Sequence, residues 1–296
     1  MYAPIDAELV TRCPAEVGES PVYDPVSRTL YWVDIPNGRL WRQHESEPPA
    51  SRPVGRTLGC AALVEGGGFL LATDTGIELL GSWGGVPRNW LDIERDQPTE
   101  FNDGKCDRRG RFIGGTAPVT APGTGTLYRI GSDASVTALF GQLGMSNGLD
   151  WTPDDRYFCH VDSTAGTVVR YRWDTDAGLP GDRSLFARVE PAAGLPDGLS
   201  IDAEGCLWLA IWGSGTVRRF APDGKVIGEV RVPVPNVTSC TFGGDQLRTL
   251  YITTAAGGGP GADLGGGVFA VPTDTEGQRL RRFARPELMP GPLAGS

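Results

Sequence analysis

Thr29-Leu-Tyr-Trp-Val-Asp34, a short turn, then Gly38-Arg-Leu-Trp41: this pair of segments decides the fold, because the chain repeats it. The first half returns as Phe69-Leu-Leu-Ala-Thr73, Arg111-Phe-Ile-Gly-Gly-Thr116, Arg156-Tyr-Phe-Cys-His-Val-Asp162, Cys206-Leu-Trp-Leu-Ala-Ile211 and Thr249-Leu-Tyr-Ile-Thr-Thr254. The second half is a glycine followed by alternating apolar residues. It returns as Gly76-Ile-Glu-Leu79, Gly125-Thr-Leu-Tyr128, Gly166-Thr-Val-Val169, Gly215-Thr-Val-Arg218 and Gly267-Val-Phe-Ala270. Such short apolar runs, bounded by Gly, Pro and Asp, read as strands, and amphipathic helical periodicity is hard to find anywhere in the chain. Six copies, each somewhat over about 40 residues, predict six four-stranded blades. The expected fold class is all-β, a six-bladed β-propeller forming one domain over residues 1–296. Ala7-Glu-Leu-Val-Thr11 precedes the first copy and is expected to complete the last blade, closing the ring and removing exposed strand edges. Trp-Asp occurs once, at Trp173-Asp174, and Gly-His never, so a WD40-type interaction propeller is not supported.

Composition fits frequent turns and excludes several functions. The 43 Gly and 24 Pro are spread along the chain rather than gathered in one low-complexity block. A formal net charge of -9 repels phosphate backbones, so nucleic acid is not an expected partner. No stretch approaches the roughly 18 apolar residues of a membrane span, so no membrane association is expected. Met1–Val10 has neither a basic nor an apolar signal region, and the expected location is cytoplasmic. The six cysteines, Cys13, Cys60, Cys106, Cys159, Cys206 and Cys240, are widely spaced with no C-x-x-C, and read as buried, reduced thiols.

The chemistry lies just upstream of the repeated strand. Four copies place a polar residue at the innermost strand: Gly18-Glu-Ser-Pro21, Phe101-Asn-Asp-Gly-Lys105, Ser146-Asn-Gly-Leu149 and Pro196-Asp-Gly-Leu199. Copies two and six, Gly59-Cys-Ala-Ala62 and Ser239-Cys-Thr241, carry no acid. Innermost strands ring the central channel, so Glu19, Asn102, Asn147 and Asp197 are expected to meet there. Converging buried carboxylates repel one another unless a cation pairs them. Carboxylate and carboxamide oxygens are hard ligands that suit Ca²⁺ best, with Mg²⁺, Mn²⁺, Zn²⁺ or Fe²⁺ as alternatives. Taken singly, the Asn-Gly and Asp-Gly pairs also read as tight turns. Asp24, Asp107, Asp150 and Asp202 recur further downstream and read as structural turn residues. His160 falls inside an apolar strand and reads as a core histidine; His44 falls in a polar outer segment. With two histidines, a Ser-His-Asp triad has little to draw on, and neither G-x-S-x-G nor a P-loop occurs.

Taken in order, these motifs resemble the senescence marker protein 30 (regucalcin)/gluconolactonase family. So do Tyr31-Trp-Val-Asp-Ile35, Gly205-Cys-Leu-Trp208 and Thr238-Ser-Cys-Thr-Phe-Gly-Gly244, and the resemblance runs from about residue 13 to residue 271. It implies one divalent metal held by Glu19, Asn147 and Asp197, with Asn102 close by on substrate or a metal-bound water. It implies hydrolysis of a small-molecule sugar lactone, with a metal-polarised carbonyl or metal-bound water and Asp197 as general base. Two positions depart from the family pattern. Glu100 stands two residues before Asn102, where many family lactonases have Arg. By the period of two it is expected to face the site, accepting hydroxyls and repelling acidic groups. The loop Ala117-Pro-Val-Thr-Ala-Pro-Gly-Thr124 has no acid where the family often has Glu. The loop keeps other esterase or phosphotriesterase chemistry open as an alternative. A non-catalytic, metal-binding regulatory propeller is the other.

Overall fold

The computed structural model describes residues 3–289 apart from 46, 96, 121, 122 and 260. It is a six-bladed β-propeller. Blade 1 runs outward from the axis as Gly18–Asp24, Thr29–Asp34, Arg39–His44 and Ala50–Pro53. Blades 2 to 5 repeat the order, starting on inner strands Leu58–Leu63, Thr99–Cys106, Ser146–Trp151 and Leu195–Ile201. Blade 6 takes three strands from one end of the chain, Val237–Gly243, Thr249–Thr254 and Val268–Pro272, and its outermost from the other, Glu8–Thr11. Ile5–Asp6 adds a parallel strand to the outer edge of blade 5. The six repeated pairs of segments form the second and third strands of the blades.

Both faces of each blade are apolar because both are covered. Six hydrophobic clusters result, one at each blade–blade interface. Trp32, Trp41, Tyr23 and Val268 join blades 6 and 1, for example, and Trp151, Phe158, Ile113 and Leu127 join blades 3 and 4. All six cysteines are buried and unpaired, as the spacing suggested.

After blade 6 the chain crosses the lower face of the ring. Gln278 donates to the carbonyls of Trp151 and Ile201 at 2.7 and 3.0 Å. Arg281 lies 2.7 Å from Asp155 and over the Trp151 ring. Arg282 reaches Asp24 at 2.6 Å, and fully buried Phe283 bridges to Val64. This strap spans blades 1 to 5 and closes one end of the channel.

Candidate metal centre

Each inner strand breaks register close to its entry. Pairing skips from Glu19↔Val33 to Val22↔Tyr31, from Leu58↔Thr73 to Cys60↔Ala72, and from Phe101↔Thr116 to Asp103↔Gly115. The same skip separates Ser146 from Leu149, Pro196 from Leu199, and Val237 from Ser239. A bulge leaves a residue unpaired, bends the strand and re-aims side chains. Asn102, Asn147 and Asp197 lie in these bulges, and Glu19 borders one. Their Asn-Gly and Asp-Gly pairs are therefore strand residues, not the tight turns that they resemble singly. The glycines serve close approach. A Cβ on Gly198 would stand 2.0 Å from Ser239 Oγ, and one on Gly148 would stand 2.5 Å from Leu199 N. Ser20, after Glu19, has φ of 48°, a left-handed backbone that few non-glycine residues adopt. Its N–H donates to Glu19 Oε2 and fixes that carboxylate.

Glu19, Asn147 and Asp197 are all buried. The Asn147 carboxamide bonds to Asp197 and donates to Ser163 Oγ at 3.2 Å. Burial pushes the Glu19 carboxyl well above the usual carboxylate range, and the charges of Asp197 and Asp103 push it further. Burial and Asp103 do the same to Asp197. Asp103 is raised by burial and partly relieved by Lys105. Lys105, however, is committed elsewhere: its Nζ lies 3.3 Å from Asp150, 2.7 Å from Leu199 O and 3.3 Å from Ser200 Oγ. Glu19 Oε1 is buried and has no hydrogen-bond partner. An orphaned carboxylate oxygen among mutually repelling acids is a costly arrangement that a cation relieves. The hard oxygen donors fit a divalent ion of the calcium or magnesium kind, and Glu19 with Asp197 balances its charge.

Two residues differ from what their place in the repeat suggests. Asp150 is no turn residue; it lies within Ser146–Trp151, faces the channel, and accepts from Lys105 and from Ile201 N at 3.0 Å. Asp103, one residue after Asn102, bears with its charge on both Glu19 and Asp197. The signal was its place beside Asn102 in an inner strand. Asp24, Asp107 and Asp202 do staple turns through backbone N–H groups. Asp202, Glu204 and Cys206 also bring three ligand atoms within 4.8 Å of one another. Both Asp202 oxygens are already taken, one by Glu204 and Cys206 N–H, the other by Trp208 Nε1 and Arg219. Nothing there calls for an ion.

Asn102 reaches across to blade 4, donating to Ser146 O at 2.9 Å. His160 supports the same segment from behind, 2.8 Å from Ser146 Oγ and packed against Phe140 and Phe158. Burial lowers its pKa to about 4, so it is a neutral core residue at pH 7. Glu100 stands outside the carboxylate cluster. It is half-buried, bonded to Thr57, and its charged neighbour is Asp74 of blade 2. Ala121 and Pro122 of the loop after blade 3's second strand lie outside the described residues. Below the carboxylates the channel narrows to a cavity of about 100 Å³ between Asp103, Lys105, Asp150 and Ser200, floored by Leu280 and Arg281 of the strap.

Comparison with known proteins shows the relatives of this chain. The family pattern described as the SMP-30/Gluconolactonase/LRE-like region matches residues 17–256. The pentonolactonase XacC of Haloferax volcanii is 37% identical over 246 residues, covering 83% of this chain and 84% of its own. A 6-deoxy-6-sulfogluconolactonase of Pseudomonas putida is 38% identical over 255 residues, covering 84% of this chain and 86% of its own. Among solved structures, a calcium-binding protein, regucalcin, of Agrobacterium tumefaciens superposes with a TM-score of 0.90 at 26% identity, over 96% of this chain and 99% of that one.

Proposed function

This chain belongs to the SMP-30/gluconolactonase/LRE-like family, and on that premise we propose that it is a divalent-cation-dependent lactonase acting on a sugar-derived lactone. The single observation that carries the reading is the orphaned Glu19 Oε1 in a cluster of buried carboxylates whose nearest cation is spent on Asp150. Glu19, Asn147 and Asp197 hold the ion, and calcium is the first choice, in keeping with the calcium-binding relative. Bound there, a divalent cation supplies Lewis-acid polarisation of the ester carbonyl. Asp197 accepts the proton of the attacking water and returns it to the ring oxygen as the C–O bond breaks. Asn102 orients the substrate, and Glu100 receives hydroxyls at the rim. The interlocked blades act as one domain, and six unpaired thiols suit a reducing cytoplasm. Among the described residues no helix is long and apolar enough to cross a membrane.

The test is a panel of aldonolactones with Ca²⁺, Zn²⁺, Mn²⁺ or Mg²⁺ restored after chelation. Ring opening that returns with one of these ions supports the reading. Metal binding with no lactone opened would leave a regulatory propeller instead. Phosphotriester hydrolysis well above every lactone would select the other hydrolase.

A further inference from the structure

The register of the inner strands defines a second ring, two residues above the bulges and, by the period of two, on the same face. From blade 1 to blade 6 it reads Val17, Thr57, Glu100, Met145, Leu195 and Asn236. Below it the bulge ring is almost wholly buried, whereas these six are half-buried or exposed, with Met145 at 37% and Leu195 at 44%. They form a rim one strand period above Glu19 and Asp197, at the end of the channel opposite the strap.

The rim is asymmetric. Blades 2 and 3 contribute Thr57 and Glu100, joined by a hydrogen bond. Blades 4 and 5 contribute Met145 and Leu195. Leu195 pairs across its strand with Trp212, so the two side chains share a face. Trp212 in turn bridges to Asn236 of blade 6. Met145 and Leu195 keep 37% and 44% of their surface in solvent, apolar area that a ligand could still cover.

Resting on the lactonase reading, we propose that this rim selects an uncharged, amphipathic lactone. Its hydroxyls face Glu100 and Thr57, and an apolar substituent lies over Met145, Leu195 and Trp212. An acidic substituent meets the Glu100 charge and is disfavoured. An alkyl substituent gains the transfer free energy of a few methylenes, about tenfold or more in selectivity.

The experiment uses the metal-loaded full chain and three lactones of one ring size: unsubstituted polyhydroxy, alkyl-substituted, and sulfonate- or carboxylate-substituted. The matching lactams are titrated by calorimetry. The alkyl compound should exceed the unsubstituted one about tenfold in kcat/KM, and the anionic one should trail both. Met145→Ser with Leu195→Ser should collapse the alkyl preference chiefly through KM. Glu100→Gln should raise the anionic lactone relative to the neutral one. Equal rates on all three, or ratios that ignore both sets of substitutions, overturn the proposal. If no lactone is opened, the lactonase reading falls, and the lactam affinities still decide for or against the rim.

Discussion

The two ends of the channel are built from the same six strands and treat charge in opposite ways. At the lower end acids are set against arginines. Asp24 takes Arg282, and Asp155 takes Arg108 and Arg281. At the upper end Glu19, Asp103 and Asp197 face one another, and one buried oxygen has no partner. Acids set against arginines hold a fold together, whereas buried acids set against one another mark a candidate site. The strap makes the difference. It supplies cations to one end and leaves the other open.

The strongest way to break the contrast is to neutralise the upper end. Asp197→Asn removes the proposed base and a metal charge, and should lower kcat/KM for the preferred lactone by at least about 10³-fold while circular dichroism stays native. Full activity in that variant removes Asp197 from the chemistry. A second effect lies behind the upper end, at His160. Its folded pKa, about 4, lies below the usual 6.5, so the unfolded chain binds the proton first as pH falls. Its contribution is complete above pH 6.5 and is lost on descending towards pH 4, about 3 kcal/mol in all. Urea unfolding across that window should show the loss in the parent chain and a flatter profile in His160→Gln.

Removing the cation sharpens the contrast in the other direction. If the ion is present at a hundred times its Kd, chelation should cost about 2.7 kcal/mol of stability. The metal-free acids have folded pKa values above their unfolded ones. The bare protein therefore loses stability as pH rises through the carboxylate range, and the thermal shift on chelation should be larger at pH 8 than at pH 5. A shift that does not depend on pH would disconnect the ion from Glu19 and Asp197. Last, Arg281→Ala at the lower end should destabilise by about 2 kcal/mol, because buried Asp155 keeps Arg108 but loses its half-buried partner. Its effect on KM should be small. A large KM change would mean that the strap shapes the upper end too.

The propeller was legible because the second strand of each blade is buried on both faces and written as a short apolar run, followed by a glycine and a third strand that alternates. Glu19, Asn102, Asn147 and Asp197 were legible as one phase of that repeat. The bulge that aims them was not, since a skipped residue leaves no compositional mark. Asp150 looked like its neighbours in the repeat, Asp107 and Asp202, although it points into the channel and they staple turns. The strap had no signal either. Glu276–Ala284 has no alternation, because its residues are held by several blades rather than by a common sheet. Glu100 followed the period of two up to the rim, and there it met Thr57 rather than the acids.

The last blade borrows its outermost strand from the first residues of the chain. That has a consequence in time. During synthesis Glu19 leaves the ribosome long before Pro272, by on the order of ten to fifty seconds at usual elongation rates. Until the final blade is made, Glu8–Thr11 has no partner sheet and the circle stays a crescent. Blades 1 and 5, which carry Glu19 and Asp197, are brought to face each other only when the crescent closes. A nascent chain therefore cannot assemble the full set of donors proposed for the ion, and a stalled or truncated one is left without them together.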